Sequence, residues 1–282
     1  MKYKIYKVGL TGSTGVIGSV LNNRLKKKYK IFKFRGDIRN KKDVFQWIEK
    51  YKFDYLIHLA AKVDIKEVNK NKSLAYQVNF GGTRNIVEGL KKYNNKCMIF
   101  FASTSHVYNF SKKKINENSL KKPITLYGQL KLKSENYLIK NYDKSKVCVG
   151  RIFSFTHFKQ NKNFFVPSIF DKIKNNMFYD VLKIQNEYRD FVSVDDICRA
   201  IEFFIEKKIS GIFNICNGKK IHLTSIVNFF CFNLNKVKIK KNYKTLKREK
   251  FLVGNNQKIK KLGFNFKSNI YDILNEFIEN KY

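Results

Sequence analysis

At 282 residues, with 43% hydrophobic residues and two prolines, Pro123 and Pro167, the chain can bury a full core and leaves no room for a proline-rich linker. The formal net charge of +36 would suit nucleic acid or another anionic partner. The lysines lie everywhere, however, including runs such as Lys26-Lys27-Lys28 and Lys112-Lys113-Lys114, and no basic stretch with interleaved aromatics stands out, so a compositional bias accounts for the charge and no nucleic-acid partner is expected.

Five scattered cysteines, Cys97, Cys148, Cys198, Cys216 and Cys231, form no C-x-x-C pair and read as buried free thiols. The four histidines, His58, His106, His157 and His222, are far apart, so no metal site is visible. No apolar run is long enough for a signal-peptide core or a membrane span, and a cytoplasmic protein is expected.

The length suits one α/β domain of about 180 residues with a smaller appended lobe. A β-type run from Tyr3 to Leu10 feeds Thr11-Gly12-Ser13-Thr14-Gly15-Val16-Ile17-Gly18, after which Ile17, Leu21 and Leu25 give a helix its apolar stripe. Strand, glycine turn and helix in this order make a dinucleotide site. Gly12 permits the tight turn, Gly15 lets the backbone approach a pyrophosphate, and Gly18 lets the helix pack closely on the strand. The phosphates would sit on the positive end of the helix dipole.

Tyr29 to Phe34 is a strand, followed by a helix marked by Val44, Trp47, Ile48 and Tyr51, and Asp54 to Leu59 is a continuous apolar strand expected at the centre of a sheet. A helix from Ser73 to Tyr93, a strand from Cys97 to Phe101, a helix from Tyr127 to Asn141 and a strand from Val147 to Arg151 complete the series. Such alternation predicts right-handed βαβ units and a parallel sheet covered on both faces. Ligands of such sheets bind at the carboxyl ends of the strands, where the glycine turn, Ala60-Ala61, Ser103-Thr104 and Ser154 all fall.

Beyond residue 155 the elements shorten. They are a helix from Pro167 to Lys174, a strand near Val181 to Ile184, a helix from Asp195 to Ile205, a strand from Ile212 to Ile215, and helices near His222 to Phe232, Asn256 to Leu262 and Asn269 to Glu279. The expected division is a dinucleotide-binding domain over 1–155 and a mainly substrate-binding lobe over 156–282, with some segments returning to the main sheet.

Tyr127-Gly128-Gln129-Leu130-Lys131 places a phenol and an ammonium at i and i+4 on one helical face. A nearby Lys⁺ favours the phenolate and is expected to lower the tyrosine's pKa toward the working pH. With the glycine turn and Thr104 upstream, the chain resembles an extended short-chain dehydrogenase/reductase, of the NAD-dependent epimerase/dehydratase type that acts on nucleotide sugars.

The matching segments run nearly the whole length. They are Thr11 to Gly18, Gly36-Asp37-Ile38-Arg39-Asn40, His58-Leu59-Ala60-Ala61, Asn79 with Gly82-Thr83, and Ser103-Thr104-Ser105-His106-Val107-Tyr108. Pro123 before Tyr127 and Lys131, Arg151 with Ser154, Arg189-Asp190-Phe191-Val192-Ser193-Val194-Asp195-Asp196 and Lys261-Leu262-Gly263-Phe264 follow.

The resemblance implies a Rossmann-type doubly wound parallel sheet with a smaller C-terminal α/β substrate lobe, and a cofactor held by Gly12, Thr14, Gly15, Val16, Ile17 and Gly18. Arg35, Asp37 and Ile38 would take the adenosine end, and Leu59, Ala60, Ala61, Asn79, Tyr127 and Lys131 the rest. It further implies that Thr104 hydrogen-bonds the substrate oxygen, Tyr127 exchanges a proton with it, and Lys131 holds the nicotinamide ribose. Ser105, His106, Ser154 and Arg189 would face the substrate, Arg189 as a diphosphate clamp, since its planar fork pairs two oxygens at once. The alternative for Arg189 is a salt bridge to Asp190 or Asp196. A nucleotide sugar is the expected partner, with a homodimer as an open alternative to a monomer.

Three departures bear on the reaction. The second-strand region is short, as in 4-keto-sugar reductases, and offers few extra cofactor contacts, which favours a cofactor that comes and goes. Thr156-His157-Phe158 replaces the usual Tyr-Gly-Pro, which bears on the substrate loop. A 4,6-dehydratase needs a carboxylic acid and a carboxylate beside the threonine, but Ser105 and His106 stand there, so elimination is not expected.

The favoured reading is an NAD(P)-dependent nucleotide-sugar oxidoreductase that reduces a 4-keto sugar for surface polysaccharide synthesis. A 4-epimerase is the alternative, and a non-catalytic dinucleotide-binding protein the alternative of another class. His106 lies where GDP-4-keto-6-deoxymannose epimerase/reductases resemble this chain but carry a cysteine acid/base, and imidazole can do such work near neutral pH. Lys33 and Arg35 beside the second strand's end suit the 2′-phosphate of NADP, whereas Asp37, about 20 residues past the glycine turn, suits an NAD ribose. NADP(H) is the preferred expectation, with NAD(H) the other option.

Overall fold

The computed structural model describes residues 5–176, 186–235 and 249–281. Strand β1 (Lys7–Thr11) leads into α1 (Val16–Leu25), β2 (Lys30–Lys33) into α2 (Lys41–Tyr51), and β3 (Tyr55–His58) into α3 (Ile65–Lys70), α4 (Lys72–Tyr76) and α5 (Gly82–Tyr93). Next come β4 (Met98–Thr104), α6 (Leu126–Asn141), β5 (Val147–Ile152), β6 (Ser154–Phe155) and α7 (Phe165–Lys174). The remainder holds β7 (Glu187–Arg189), β8 (Phe191–Val192), α8 (Val194–Glu206), β9 (Gly211–Ile215), β10 (Ile221–His222), α9 (Leu223–Asn233), β11 (Lys250–Leu252), α10 (Gln257–Lys260) and α11 (Ile270–Lys281).

Six strands in the order β2-β1-β3-β4-β5-β9 form one sheet, every pair parallel. The chain winds from β1 to β2 in one direction and from β3 through β5 in the other, so the order reverses between β1 and β3. That switch point opens a crevice at the strands' carboxyl ends. Strand β3 is buried along its length, as its continuous apolar run requires for a central strand covered on both sides. Strand β9, far along the chain, supplies the sheet's last position beside β5.

Each face carries its own apolar layer. On one side Leu21 and Leu25 of α1 pack with Ile197, Ile201 and Phe204 of α8. On the other Val44, Trp47 and Ile48 of α2 pack with Ile86 and Leu90 of α5 and Leu138 of α6. A separate cluster around Val166, Ile169, Phe230 and Phe277 joins α7, α9 and α11. Burying such stripes is what drives these amphipathic helices onto the sheet.

Several expected boundaries shift. The first strand starts at Lys7 rather than Tyr3, and residues 1–4 lie outside the described part, as does the strand expected at Val181 to Ile184. The helix expected near 256–262 is only Gln257–Lys260, and Gly263 follows at φ +95°. Most informative is the segment expected as one helix from Ser73 to Tyr93, which is α4, a π-helical turn at Gln77–Gly81, and α5. The side chain of Asn79 explains the break. Its Oδ1 accepts from Lys62 N at 2.7 Å and its Nδ2 donates to Lys62 O at 2.9 Å, so the turn widens to keep Asn79 facing inward.

Candidate functional site

The glycine turn is shaped by contacts that no side chain would survive. Gly12 sits at φ +71°, and a Cβ there would lie 2.7 Å from Ala60 N, so β1 and β3 approach backbone to backbone at the switch point. A Cβ on Gly18 would lie 2.1 Å from the carbonyl oxygen of Gly12. Gly18 thus packs on the turn itself, rather than on the strand as expected, because the first turn of α1 folds back over residues 12 and 13.

Gly15 differs, since a Cβ on it would meet only Gly12 O, at 3.5 Å, and it caps α1 without a side-chain hydrogen bond. Gly15 N–H donates to Gly12 O at 3.2 Å, whereas the N–H groups of exposed Thr14 and half-buried Val16 and Ile17 stand at the helix start, where an anion can meet them. Half-buried Leu59, Ala60 and Ala61 form the opposing wall. These residues fit the diphosphate of an NAD(P)-type dinucleotide.

Beneath that wall, His58 bridges Thr11 Oγ1 at 2.8 Å and Thr83 Oγ1 at 3.1 Å. Thr83 spends its own proton on Asn79 O at 2.8 Å, so His58 Nε2–H donates to Thr83 and Nδ1 accepts from Thr11. Burial, aided by the charge of Lys131, pulls His58 down to about 3, which keeps the imidazole neutral. This chain ties β1 and β3 to α5.

At the adenosine end Arg35 and Asp37 are exposed, whereas Ile38 is buried beneath Gly82. Asp37 is engaged by Arg39, whose Nε lies 2.9 Å and Nη2 2.5 Å from Asp37 Oδ2, and these bonds hold the carboxyl below its usual range.

Thr104 ends β4 and Tyr127 opens α6, and the Thr104 hydroxyl comes close enough to the Tyr127 phenol to favour its ionised form. Thr104 Oγ1 also accepts from His106 N at 3.2 Å. Gly128 makes the approach possible: a Cβ there would lie 2.2 Å from His106 O, so only glycine lets α6 press against the turn after β4. That requirement had a visible signal, a glycine directly after the tyrosine, but its partner lies on another element.

Lys131, one helical turn on, is 3% exposed, with its Nζ 4.3 Å over the Phe101 ring. Burial pulls it down to about 7, against the opposing field of Glu135. Tyr127 moves up to about 12, through burial of its hydroxyl and despite the opposing influence of the Thr104 hydroxyl. The expectation that Lys131 would lower the phenol's pKa is therefore corrected. Both heads are taken out of water, which disfavours phenolate and ammonium alike, and a half-neutralised lysine is a weak source of field. At neutral pH Tyr127 is a protonated phenol, able to donate.

Around this core, Ser105 is buried. The His106 ring meets Tyr127 edge-on at 6.0 Å, and burial together with the charge of Arg189 pulls His106 down to about 4. Arg189 pairs with Glu187 and lies 5.6 Å over the Phe110 ring. The partners weighed for it are committed elsewhere. Asp190 accepts from the backbone N–H groups of Asn217, Gly218 and Gly254, and Asp196 binds Arg199 and Ser268. Ser154 is half-buried in β6, whose backbone pairs with Phe191. Among the described residues no cluster of metal-ligating side chains occurs, and no helix is long and apolar enough to cross a membrane.

Residues 3–277 match the family model described as GDP-mannose 4,6 dehydratase. The chain is 30% identical over 247 residues to a GDP-6-deoxy-D-talose 4-dehydrogenase of Aggregatibacter actinomycetemcomitans, covering 84% of this chain and 83% of that one. Among solved structures, dTDP-4-dehydrorhamnose reductase from Bacillus anthracis in complex with NADP superposes with a TM-score of 0.81 at 20% identity, over 98% of this chain and 100% of that one. UDP-glucose 4-epimerase from Thermus thermophilus in complex with NAD gives a TM-score of 0.81 at 18% identity, over 96% and 98%. The chain thus belongs to the GDP-mannose 4,6-dehydratase family of extended short-chain dehydrogenase/reductases, NAD(P)-dependent enzymes of nucleotide-sugar metabolism.

Proposed function

We propose that this chain reduces a 4-keto (deoxy)sugar nucleotide for surface polysaccharide synthesis, with Tyr127 as the proton donor. The observation that carries the reading is the protonated Tyr127 phenol, beside Thr104 and one turn from Lys131, together with a turn that fits a dinucleotide. When bound, the cofactor supplies a hydride to the carbonyl carbon. Thr104 holds the carbonyl oxygen, and Tyr127 delivers its proton to that oxygen as negative charge develops on it, the work of a general acid. Lys131 holds the nicotinamide ribose and steadies the tyrosinate that is left.

Although the matched family is named for a dehydratase, Ser105 and His106 follow Thr104 where elimination needs carboxyl groups. A relative named as a 4-dehydrogenase of a GDP-6-deoxy sugar favours redox chemistry at carbon 4 as well. NADP(H) is the preferred cofactor. Asp37 is turned onto Arg39, leaving exposed Lys33 and Arg35 to meet a 2′-phosphate. Arg189 clamps the diphosphate by exchanging its bond to Glu187 for the ligand's oxygens.

The test is NADPH consumption with 4-keto nucleotide sugars, native protein against Tyr127→Phe. The expected result is stoichiometric consumption that falls by about two to four orders of magnitude in the variant while cofactor binding persists. Near-normal turnover in the variant overturns the assignment of Tyr127. Purification with tightly bound NAD⁺, and interconversion of two 4-hydroxyl epimers without net cofactor change, replaces the reductase by an epimerase.

A further inference from the structure

Glu135 and Arg151 are each 1% exposed and take no part in the chemistry above. Two charges are removed from water only at considerable cost, and an apolar pair of the same shape would often serve stability equally well or better. Their placement relative to the reacting groups gives them another use.

Tyr127, Lys131 and Glu135 stand at i, i+4 and i+8 on one face of α6, so the carboxylate lies one turn beyond the ammonium. Arg151 Nη2 binds Glu135 Oε2 at 2.7 Å, and Arg151 Nε reaches Oε1 and Oε2 at 3.1 and 3.2 Å. Ser103, the residue before Thr104, donates its hydroxyl to Glu135 Oε1. Arg151 is anchored in turn, its Nη1 donating to Tyr108 OH at 2.7 Å and to Glu117 O at 3.0 Å, while Tyr108 OH donates to Asn214 Oδ1 at 2.9 Å. The pair is thus held in one orientation, with its negative member one helical turn from Lys131 on α6 and its charge favouring the ammonium.

The groups facing Lys131 are Tyr127 and Glu135 from α6, His58 from β3 and the Phe101 ring from β4. His58 and Tyr127 are neutral at pH 7, and Glu135 is the group whose charge favours the ammonium.

We propose that Glu135, held by Arg151 and Ser103, is a positioning residue that favours the charged form of Lys131 and aligns it with Tyr127. Its bond to Ser103 couples the same carboxylate to the strand end that carries Thr104, so one side chain sets the registry between β4 and α6. This rests on the reading of Lys131 as the partner of Tyr127 in proton transfer.

The experiment is an NMR titration of the lysine 13Cε signals in the full chain, with the Lys131 signal identified by its loss in Lys131→Met. The native midpoint is expected near 7. Glu135→Gln keeps a hydrogen-bonding group but removes the charge, and is expected to lower the midpoint by about one pH unit or more, with Glu135→Asp restoring part of the loss. Because Glu135→Gln leaves Arg151 buried without its counter-ion, the double variant Glu135→Leu/Arg151→Met is measured beside it. That variant is expected to fold and to show the same lowered midpoint.

An unmoved Lys131 midpoint in either folded variant overturns the proposal, and so does failure of both to fold, which would make the pair purely structural. The titration needs no substrate, so a displaced midpoint together with no turnover of 4-keto sugars overturns the functional reading alone.

Discussion

Lys131→Met is expected to stabilise the protein, and by an amount that depends on pH. An unfolded lysine titrates near 10.4, whereas burial brings Lys131 to about 7 in the folded chain. Between those values the unfolded chain binds the proton and the folded chain does not. Native stability therefore rises with pH across the window. The cost of the buried lysine is fully present below about pH 7 and disappears as pH climbs through the unfolded value.

The shift corresponds to about 4 kcal/mol at pH 7 and about 1 kcal/mol at pH 10. Methionine matches the stem in volume without a charge to desolvate, and Glu135 keeps Arg151 as its counter-ion. Urea melts of native and variant protein without added nucleotide, at pH 7 and pH 10, measure the difference. The variant should be more stable by a few kcal/mol at pH 7, with most of the gain gone at pH 10. A variant less stable at pH 7, or an equal difference at both pH values, would refute the account of Lys131 as a charge held in an unfavourable place for the sake of chemistry.

Gly128→Ala would set a methyl 2.2 Å from His106 O, so α6 must withdraw from the turn after β4. Thermal melts should show a loss of about 1–3 kcal/mol, and kcat should fall more than stability explains as Tyr127 leaves Thr104. An unchanged kcat would show that this approach does not place the phenol. Calorimetric titration should find NADPH binding more tightly than NADH, with Arg35→Ala narrowing the gap; tighter NADH binding would assign the ribose to Asp37 instead. If His106 exchanges protons at the sugar ring, deuterium from solvent should enter ring carbons and be lost in His106→Ala. No incorporation by the native protein would leave His106 as a packed wall residue.

Local spacing already carried much of this molecule. The β1 turn and the Tyr127 and Lys131 pair are legible because a glycine turn after a strand and an i, i+4 pair on a helix have one geometry each, whatever surrounds them. Strand and helix alternation likewise dictated a parallel sheet, since amphipathic helices must cover both its faces.

Tertiary structure decided what depends on groups brought together from distant segments. Gly128 is required by the carbonyl of His106, and the π-helical turn by the bonds of Asn79 to the backbone of Lys62. Glu135 finds Arg151 on β5 and Ser103 on β4, and β9 returns to close the sheet beside β5.

The protonation states belong to the second kind as well. In sequence Lys131 looks like the charge that ionises Tyr127, yet the fold encloses both heads, and loss of hydration outweighs their attraction. Spacing along a helix sets which side chains can meet; only the packed interior sets how much water they keep, and that decides which of them carries a charge.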